Sequence, residues 1–235
     1  FLMDTNGSVS FGYIGEDLFA KDQNAPFGFW TSNEAVLSEI RRHKESANVI
    51  AIEWADLYRV EKYALYCKPT QAIKMREAAL DRLNQFLDGL WAEFGPEEYT
   101  MAVMSPFPGM DGLVRRQQLT PLGIWGPGIK RGYIISPTTR RLGLIANIDI
   151  AASILTYFRL PIPNAIIGRP VTIGSTEENM LVTLEQLEQR ATSNYVQRPL
   201  VLRLFVIYWI TTLALSILAA LLRNRILGCI VHRLL

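Results

Sequence analysis

A chain of 235 residues is long enough for one large domain or two small ones, and 49% hydrophobic with 20% charged side chains is an ordinary soluble balance pushed upward by an apolar tail. The net charge of +2, with acids and bases mixed along the chain and no sustained basic stripe interleaved with aromatics, excludes nucleic acid as the expected partner. Two cysteines, Cys67 and Cys229, lie on opposite sides of the apolar run, so no bridge between them is expected and cysteine usage does not define a redox compartment.

Phe1-Leu2-Met3 reads as strand-like and Asp4-Thr5-Asn6-Gly7 as a turn. The absence of an initiator Met and a basic leader points away from a signal peptide. Ile230, Val231, Leu234 and Leu235 keep the end apolar, so the chain reads as cut at both ends from something longer. A polar helix is expected from Glu34 to Lys44, followed by a short β-branched run, Val49-Ile50-Ala51-Ile52-Glu53, with the look of a buried parallel strand. A long amphipathic helix is expected from Thr70 to about Phe94. Ala72, Met75, Ala79, Leu83, Phe86, Leu87 and Leu90 are at helical spacing, and Gly95-Pro96 is the stop.

Two further strands are expected, at Tyr99 to Met104 and at Leu119 to Trp125, the second ending in a Gly126-Pro127-Gly128 turn. Gly143 to Asn147 reads as a short extended segment. Asn147 or Asp149 can then cap a helix to about Phe158, because a carboxylate near a helix N-terminus can accept orphan backbone N–H groups. Thr183 to Gln197 reads as a helix or linker. Alternating strands and helices imply an α/β fold, a mainly parallel sheet with helices on both faces, with ligands at the carboxyl ends of the strands.

From Leu204 to Leu222 run 19 residues without a formal charge, bounded by Arg203 on one side and by Arg223 and Arg225 on the other. That length spans the hydrocarbon core, and Tyr208 with Trp209 near one end supplies an interfacial belt, so a transmembrane helix is expected over a buried core helix. Arg190, Arg198 and Arg203 before the span balance Arg223, Arg225 and Arg233 after it, leaving orientation undecided by charge. The expected division is residues 1–180 as the α/β domain, 181–199 as a linker helix, and 200–235 as the transmembrane helix with the start of a further membrane segment.

Only two histidines are present, His43 and His232, too few and too far apart for a His-rich metal site, and no cofactor is expected. Glu53, Trp54, Asp56 and Arg59 follow the first expected strand, where a carboxylate serves either the ligand edge or a structural ion pair. Ser136-Pro137-Thr138-Thr139-Arg140-Arg141 gathers three hydroxyls and two guanidiniums, which fits a cradle for phosphate, sulfate or carboxylate, or equally a solvated loop. Ser105-Pro106-Phe107-Pro108-Gly109 is a frozen loop from which no nucleophile with an adjacent base can be assembled.

The order of three segments, Leu119 to Ile129, Gly143 to Leu155 and Gly168-Arg169-Pro170, resembles the C-terminal half of the alkaline phosphatase superfamily, which includes sulfatases, phosphodiesterases and cofactor-independent phosphoglycerate mutases. In that superfamily a strand leads into a helix opened by Asp, here Asp149-Ile150-Ala151-Ala152, and then into a Gly-Arg segment. The resemblance spans about Val49 to Val171. It implies a site with two metal ions, held by an Asp-x-x-x-His, an Asp-His pair and a further His. Asp56 stands where the first Asp would, but Val60 is four residues on; Ser105-Pro106-Phe107-Pro108 stands for Ser-Asp-His-Gly; Thr139, Arg140 and Arg141 fall where the last His would.

Loss of those ligands removes the means of neutralising a phosphoryl group. The resemblance therefore implies a membrane-anchored, extracytoplasmic member in the cell membrane that lacks the metal site. It would act as an anion-binding or interaction module through Asp56, Arg59, Ser105, Thr139, Arg140 and Arg141. Its partners would be the lipid bilayer and an anionic, phosphate- or sulfate-bearing surface ligand. The alternatives are a membrane-bound phosphatase or phosphoethanolamine transferase-like enzyme with its nucleophile upstream, and a scaffold that only positions membrane helices.

Overall fold

A hairpin follows the short 3-10 turn Glu16–Leu18. In the computed structural model, which describes residues 12–222 apart from Glu177, strand β1 (Phe19–Lys21) pairs antiparallel with β2 (Phe29–Thr31). The Asp22 side chain shapes the connection by accepting the Asn24 N–H at 2.8 Å and the Trp30 indole N–H at 3.2 Å. Phe27 and Gly28 both take left-handed backbone, the second without steric cost. Phe1-Leu2-Met3, the turn at Asp4 to Gly7, Cys229, His232, the arginines after the span and the start of a further membrane segment lie outside the described residues.

Helix α1 (Asn33–His43) starts at Ser32, whose hydroxyl accepts the Ala35 N–H at 3.3 Å, and it carries Glu34 in its first turn and Arg41, Arg42 and His43 in its last, complementing the helix dipole. Helix α2 (Asp56–Tyr63) is short, and helix α3 (Pro69–Glu93) begins with Pro69 in the first turn, where a missing N–H costs nothing. Two small cores result. Val36, Leu37 and Ile40 of α1 pack with Phe86 and Phe94, while Trp30, Val60, Met75 and Ala79 pack with Ala25. Burying one such large side chain contributes about 1.5–3 kcal/mol, so the interlock of α1, α2 and α3 is what holds this half together.

Strand β3 (Met101–Met104) pairs antiparallel with β4 (Leu122–Trp125), with Val103 opposite Gly123. The Trp125 ring lies over the space a Gly123 side chain would fill and meets the Trp91 ring edge-on at 5.9 Å. Between them lies the five-residue helix α4 (Met110–Val114). Strand β5 (Ile134–Ile135) pairs antiparallel with β6 (Thr172–Ile173), and helix α5 (Ile148–Tyr157) lies between those two in sequence.

The fold is therefore mixed helix with small sheets. The expectation of a mainly parallel sheet is corrected, since all three sheets among the described residues are two-stranded and antiparallel. The clearest departure is 49–53. It forms no strand, and Val49, Ile50 and Ile52 are 41%, 39% and 39% exposed. A β-branched run favours extended backbone, but a strand needs a neighbour to bond with, and none of the described strands pairs with this segment.

Helix α6 (Met180–Leu222) is one continuous helix of 43 residues, taking in both the expected linker and the expected span, with Pro199 inside it. Among the described residues it is the one helix long and apolar enough to cross a membrane. Three hydroxyls within its apolar part are internally satisfied: Thr211 donates to the Ile207 carbonyl, Thr212 to the Tyr208 carbonyl and Ser216 to the Thr212 carbonyl. A hydroxyl bonded four residues back exposes no free donor to lipid. The described residues divide into two units: the part up to Met110 with Thr120–Met180, and Asp111–Leu119 with the residues from Leu181 onward.

Candidate functional site

Asp56 is the first residue of α2 and is fully buried. Its Oδ1 accepts the Thr31 N–H at 2.9 Å, the Thr31 hydroxyl at 2.8 Å and a guanidinium N–H of Arg59 one turn along. Arg59 also donates to the Thr31 hydroxyl at 2.7 Å and lies over the rings of Phe19 and Phe29, at 5.3 and 5.1 Å. Burial lowers the Arg59 pKa, although the nearby Glu53 favours the cation.

Arg82, from α3, completes the cluster. Its Nη2 donates to the Thr31 carbonyl at 2.8 Å, its Nε lies 3.8 Å from Asp56 Oδ2, and its guanidinium lies over the Trp30 ring at 5.4 Å. Two guanidiniums thus converge on one carboxylate, with Glu53 a second acid near Arg59. Asp56 Oδ2 and the Nε groups of Arg59 and Arg82 are buried without a hydrogen-bond partner. The sequence reading missed Thr31 and Arg82. Arg82 had a visible signal: with Met75, Ala79 and Phe86 it falls on the buried stripe of α3, where a charge requires a partner.

The other expected site residues have separate local roles. The Ser105 hydroxyl donates to the Phe107 carbonyl at 2.7 Å and shapes its own loop. That loop touches two neighbours: Asn147 donates to the Pro106 carbonyl at 3.5 Å, and a side chain at Gly109 would meet Glu61 Oε1 at 2.4 Å. Among the described residues no hydrogen bond or ion pair joins Ser105, Thr139, Arg140 or Arg141 to Asp56.

The hydroxyls of the 136–139 loop are consumed by the loop itself. Ser136, buried, accepts the Thr138 N–H at 2.9 Å; Thr138 donates to Asp149 Oδ1 at 2.6 Å; Thr139 donates to the Leu144 carbonyl. Arg140 takes left-handed backbone, and it and Arg141 are exposed, with no ion pair among the described residues. The loop offers cations to solvent but no free hydroxyls.

Asp149 is the second fully buried carboxylate. Besides Thr138 it accepts the Ala146 N–H at 2.9 Å and the Arg169 N–H at 2.9 Å. Asn147, the residue before α5, makes no side-chain cap. The Asp thus fastens the helix entry backwards onto Ala146 and sideways onto the Gly168-Arg169-Pro170 passage. Gly168 is required there, since a Cβ would come within 1.9 Å of the Ile148 carbonyl oxygen. Asp149 and Gly168 are therefore parts of one joint.

Among the described residues no three His, Cys, Asp or Glu side chains gather around a common point. No family model, curated protein or solved structure matches the chain. The class defined by fold and site is a mixed α and small-sheet domain followed by one long apolar helix, with a buried arginine-clamped carboxylate.

Proposed function

We propose that this chain is the extracytoplasmic, alkaline phosphatase-superfamily-like domain of a membrane protein, and that it binds an anionic ligand without turning it over. The observation that carries the reading is the double arginine clamp on Asp56. The resemblance puts a metal-ligating carboxylate at this position, and here its Oδ1 is occupied by three donors, one of them cationic. A metal ion would have to displace Arg59 and would be repelled by Arg82. Two guanidiniums supply part of the positive charge that two dications would bring, and they favour a bound anion over an activated nucleophile.

The motif order around Asp149 and Gly168 supports the same likeness. Sidedness rests on the layout of membrane-bound phosphoethanolamine transferases, whose soluble domain faces outward.

The full chain in detergent micelles tests the reading. Phosphate or sulfate is expected to raise its melting temperature above that in chloride of equal ionic strength, and Arg82→Gln is expected to remove most of that rise. Hydrolysis of an aryl phosphate that depends on added zinc or manganese and disappears in Asp56→Ala would replace this reading with the transferase or hydrolase one. The absence of any anion response would leave the domain a scaffold.

A further inference from the structure

Residues 111–119 form one compact unit with the residues from Leu181 onward. Helix α4 ends there in a left-handed turn: Arg116 takes φ 63°, its N–H donates to the Leu113 carbonyl at 3.1 Å, and the Gln117 N–H donates to the Gly112 carbonyl at 2.8 Å. Glycine makes this turn without strain, yet an arginine occupies it, and its guanidinium lies over the Tyr195 ring of α6 at 5.9 Å. The side chain at the strained position is therefore the one that joins the segment to the helix.

Beside that contact the segment exposes apolar side chains. Val114 is 79% and Leu113 46% exposed, and Arg115 and Arg116 follow them, both exposed and, among the described residues, without an ion pair. The stretch of α6 that it meets needs water. Pro199 has no N–H to give the Tyr195 carbonyl four residues back, and Arg190 and Arg198 lie on either side of Tyr195 in sequence. Leu200, Val201 and Leu202, all more than half exposed, then open the apolar part, with Arg203 long enough to reach back toward water. Tyr195 stands about 8 Å before Leu200 at 1.5 Å per residue, and the headgroup layer is about 5–8 Å deep on each side of a bilayer. The contact thus falls at headgroup level when α6 crosses.

We propose that residues 111–119 are an interfacial anchor, in which Leu113 and Val114 enter the boundary between headgroups and acyl chains beside α6 while Arg115 and Arg116 meet lipid phosphates. Lipid is the occupant for two reasons. Bare aliphatic side chains held at this height have acyl chains within a side-chain length, and guanidiniums at the same height have phosphates. A second copy docking through the same patch about a two-fold axis would set its arginines against these. The anchor rests on α6 crossing a bilayer and is independent of the anion reading at Asp56, which uses none of these residues.

The test is quenching by lipid. The full chain carrying Cys67→Ser and Cys229→Ser is given one new cysteine, labelled with bimane, and placed in phosphatidylcholine nanodiscs with or without a lipid bearing a shallow doxyl quencher. Label on Val114→Cys is expected to be quenched at least about twofold more than label on Leu181→Cys, which α6 carries about 35 Å before Leu204. Arg116→Gln, which removes the contact with Tyr195, is expected to abolish at least about half of that excess. Quenching unchanged in that variant would overturn the attachment to α6. Label on Leu213→Cys, within the uncharged run, reports insertion. Quenching there, with Val114→Cys no better quenched than Leu181→Cys, would overturn the proposal alone, whereas no quenching at Leu213→Cys would overturn it together with the membrane span. Disulfide formation between Val114→Cys copies, in place of quenching, would assign the patch to a second copy of the chain and overturn it as well.

Discussion

Asp149 accepts the backbone N–H of Arg169 at 2.9 Å, although the two residues are 20 apart in sequence. The same carboxylate holds Thr138 and Ala146, so three passages of chain meet on one buried side chain. What Arg169 contributes to the joint is its backbone N–H.

Replacing Asp149 by Ala strands three donors in a buried place, and the expected loss of stability is about 2–4 kcal/mol. Asp149→Asn keeps one carbonyl acceptor and is expected to lose roughly half as much. Urea unfolding of the full chain in micelles, followed by tryptophan fluorescence, measures both. An unchanged midpoint in Asp149→Ala would refute the joint.

The same residue sets an acid limit. Burial pushes the Asp149 carboxyl up, but the Arg169 N–H, the Ser136 and Thr138 hydroxyls and the Ala146 N–H together stabilise the anion, leaving its pKa below the usual 3.8. As pH falls the unfolded chain takes up this proton first, so the carboxylate's contribution is complete above about pH 5 and is lost as pH drops through the unfolded and then the folded pKa. The stability gap between the natural chain and Asp149→Asn is therefore expected to stay flat from about pH 5 to 8 and to close below about pH 4. A gap that widened in acid would contradict the sign.

Gly168→Ala is expected to cost about 1–3 kcal/mol or more, because its Cβ would meet main-chain atoms of Ile148, which cannot swing away as a side-chain tip can. Gly95→Ala is the matched control. Its nearest neighbour would be the Trp91 carbonyl oxygen at 3.7 Å, ordinary contact, and its expected effect is within about 0.5 kcal/mol. Similar unfolding midpoints for the two variants would remove the steric explanation.

At the arginine clamp, Asp56→Ala leaves two guanidiniums facing each other without a counter-charge and is expected to destabilise by about 3–5 kcal/mol. Arg82→Met is expected to cost about 1 kcal/mol. Its pairing distance is 3.8 Å and its side chain is 30% exposed, so solvent screens much of the attraction. If the double variant costs the sum of the singles, the pair is not coupled.

The parts legible in the sequence were those set by local signals. Helical spacing marked α3 and α5, a polar run marked α1, Gly126-Pro127-Gly128 marked a turn, and the uncharged run marked the apolar end of α6. Strand pairing was not legible, because a β-branched run such as 49–53 specifies backbone shape and not the neighbour that would bond to it. Helix α2 was overlooked because it is eight residues long and Ala55, before it, offers no side-chain cap. The hydroxyls at 136–139 looked like a ligand cradle, but each can serve the backbone as readily as a ligand, and here they bind the turn. The overall net charge of +2 concealed opposite balances in residues 12–110, with fifteen acids and ten bases, and 120–180, with six bases and three acids, a difference visible only when the chain is counted in segments.

Membrane insertion and sidedness are tested together through Cys67. The 19 uncharged residues of α6 are about 29 Å long at 1.5 Å per residue, enough for the hydrocarbon core, so a shortened chain ending at Gln197 is expected to leave the membrane fraction while the full chain stays in it. Arginines on the two sides of the span balance, so sidedness follows from the proposed family layout alone. Cys67 is half-buried and lines a shallow depression with Tyr66 and Lys68. With Cys229→Ser it becomes the single thiol of the chain. An impermeant maleimide is expected to label it in intact cells as fully as in detergent-opened ones. Labelling confined to opened cells would reverse the topology, and failure to label in either state would require moving the reporter to exposed Lys74 as Lys74→Cys before the same comparison.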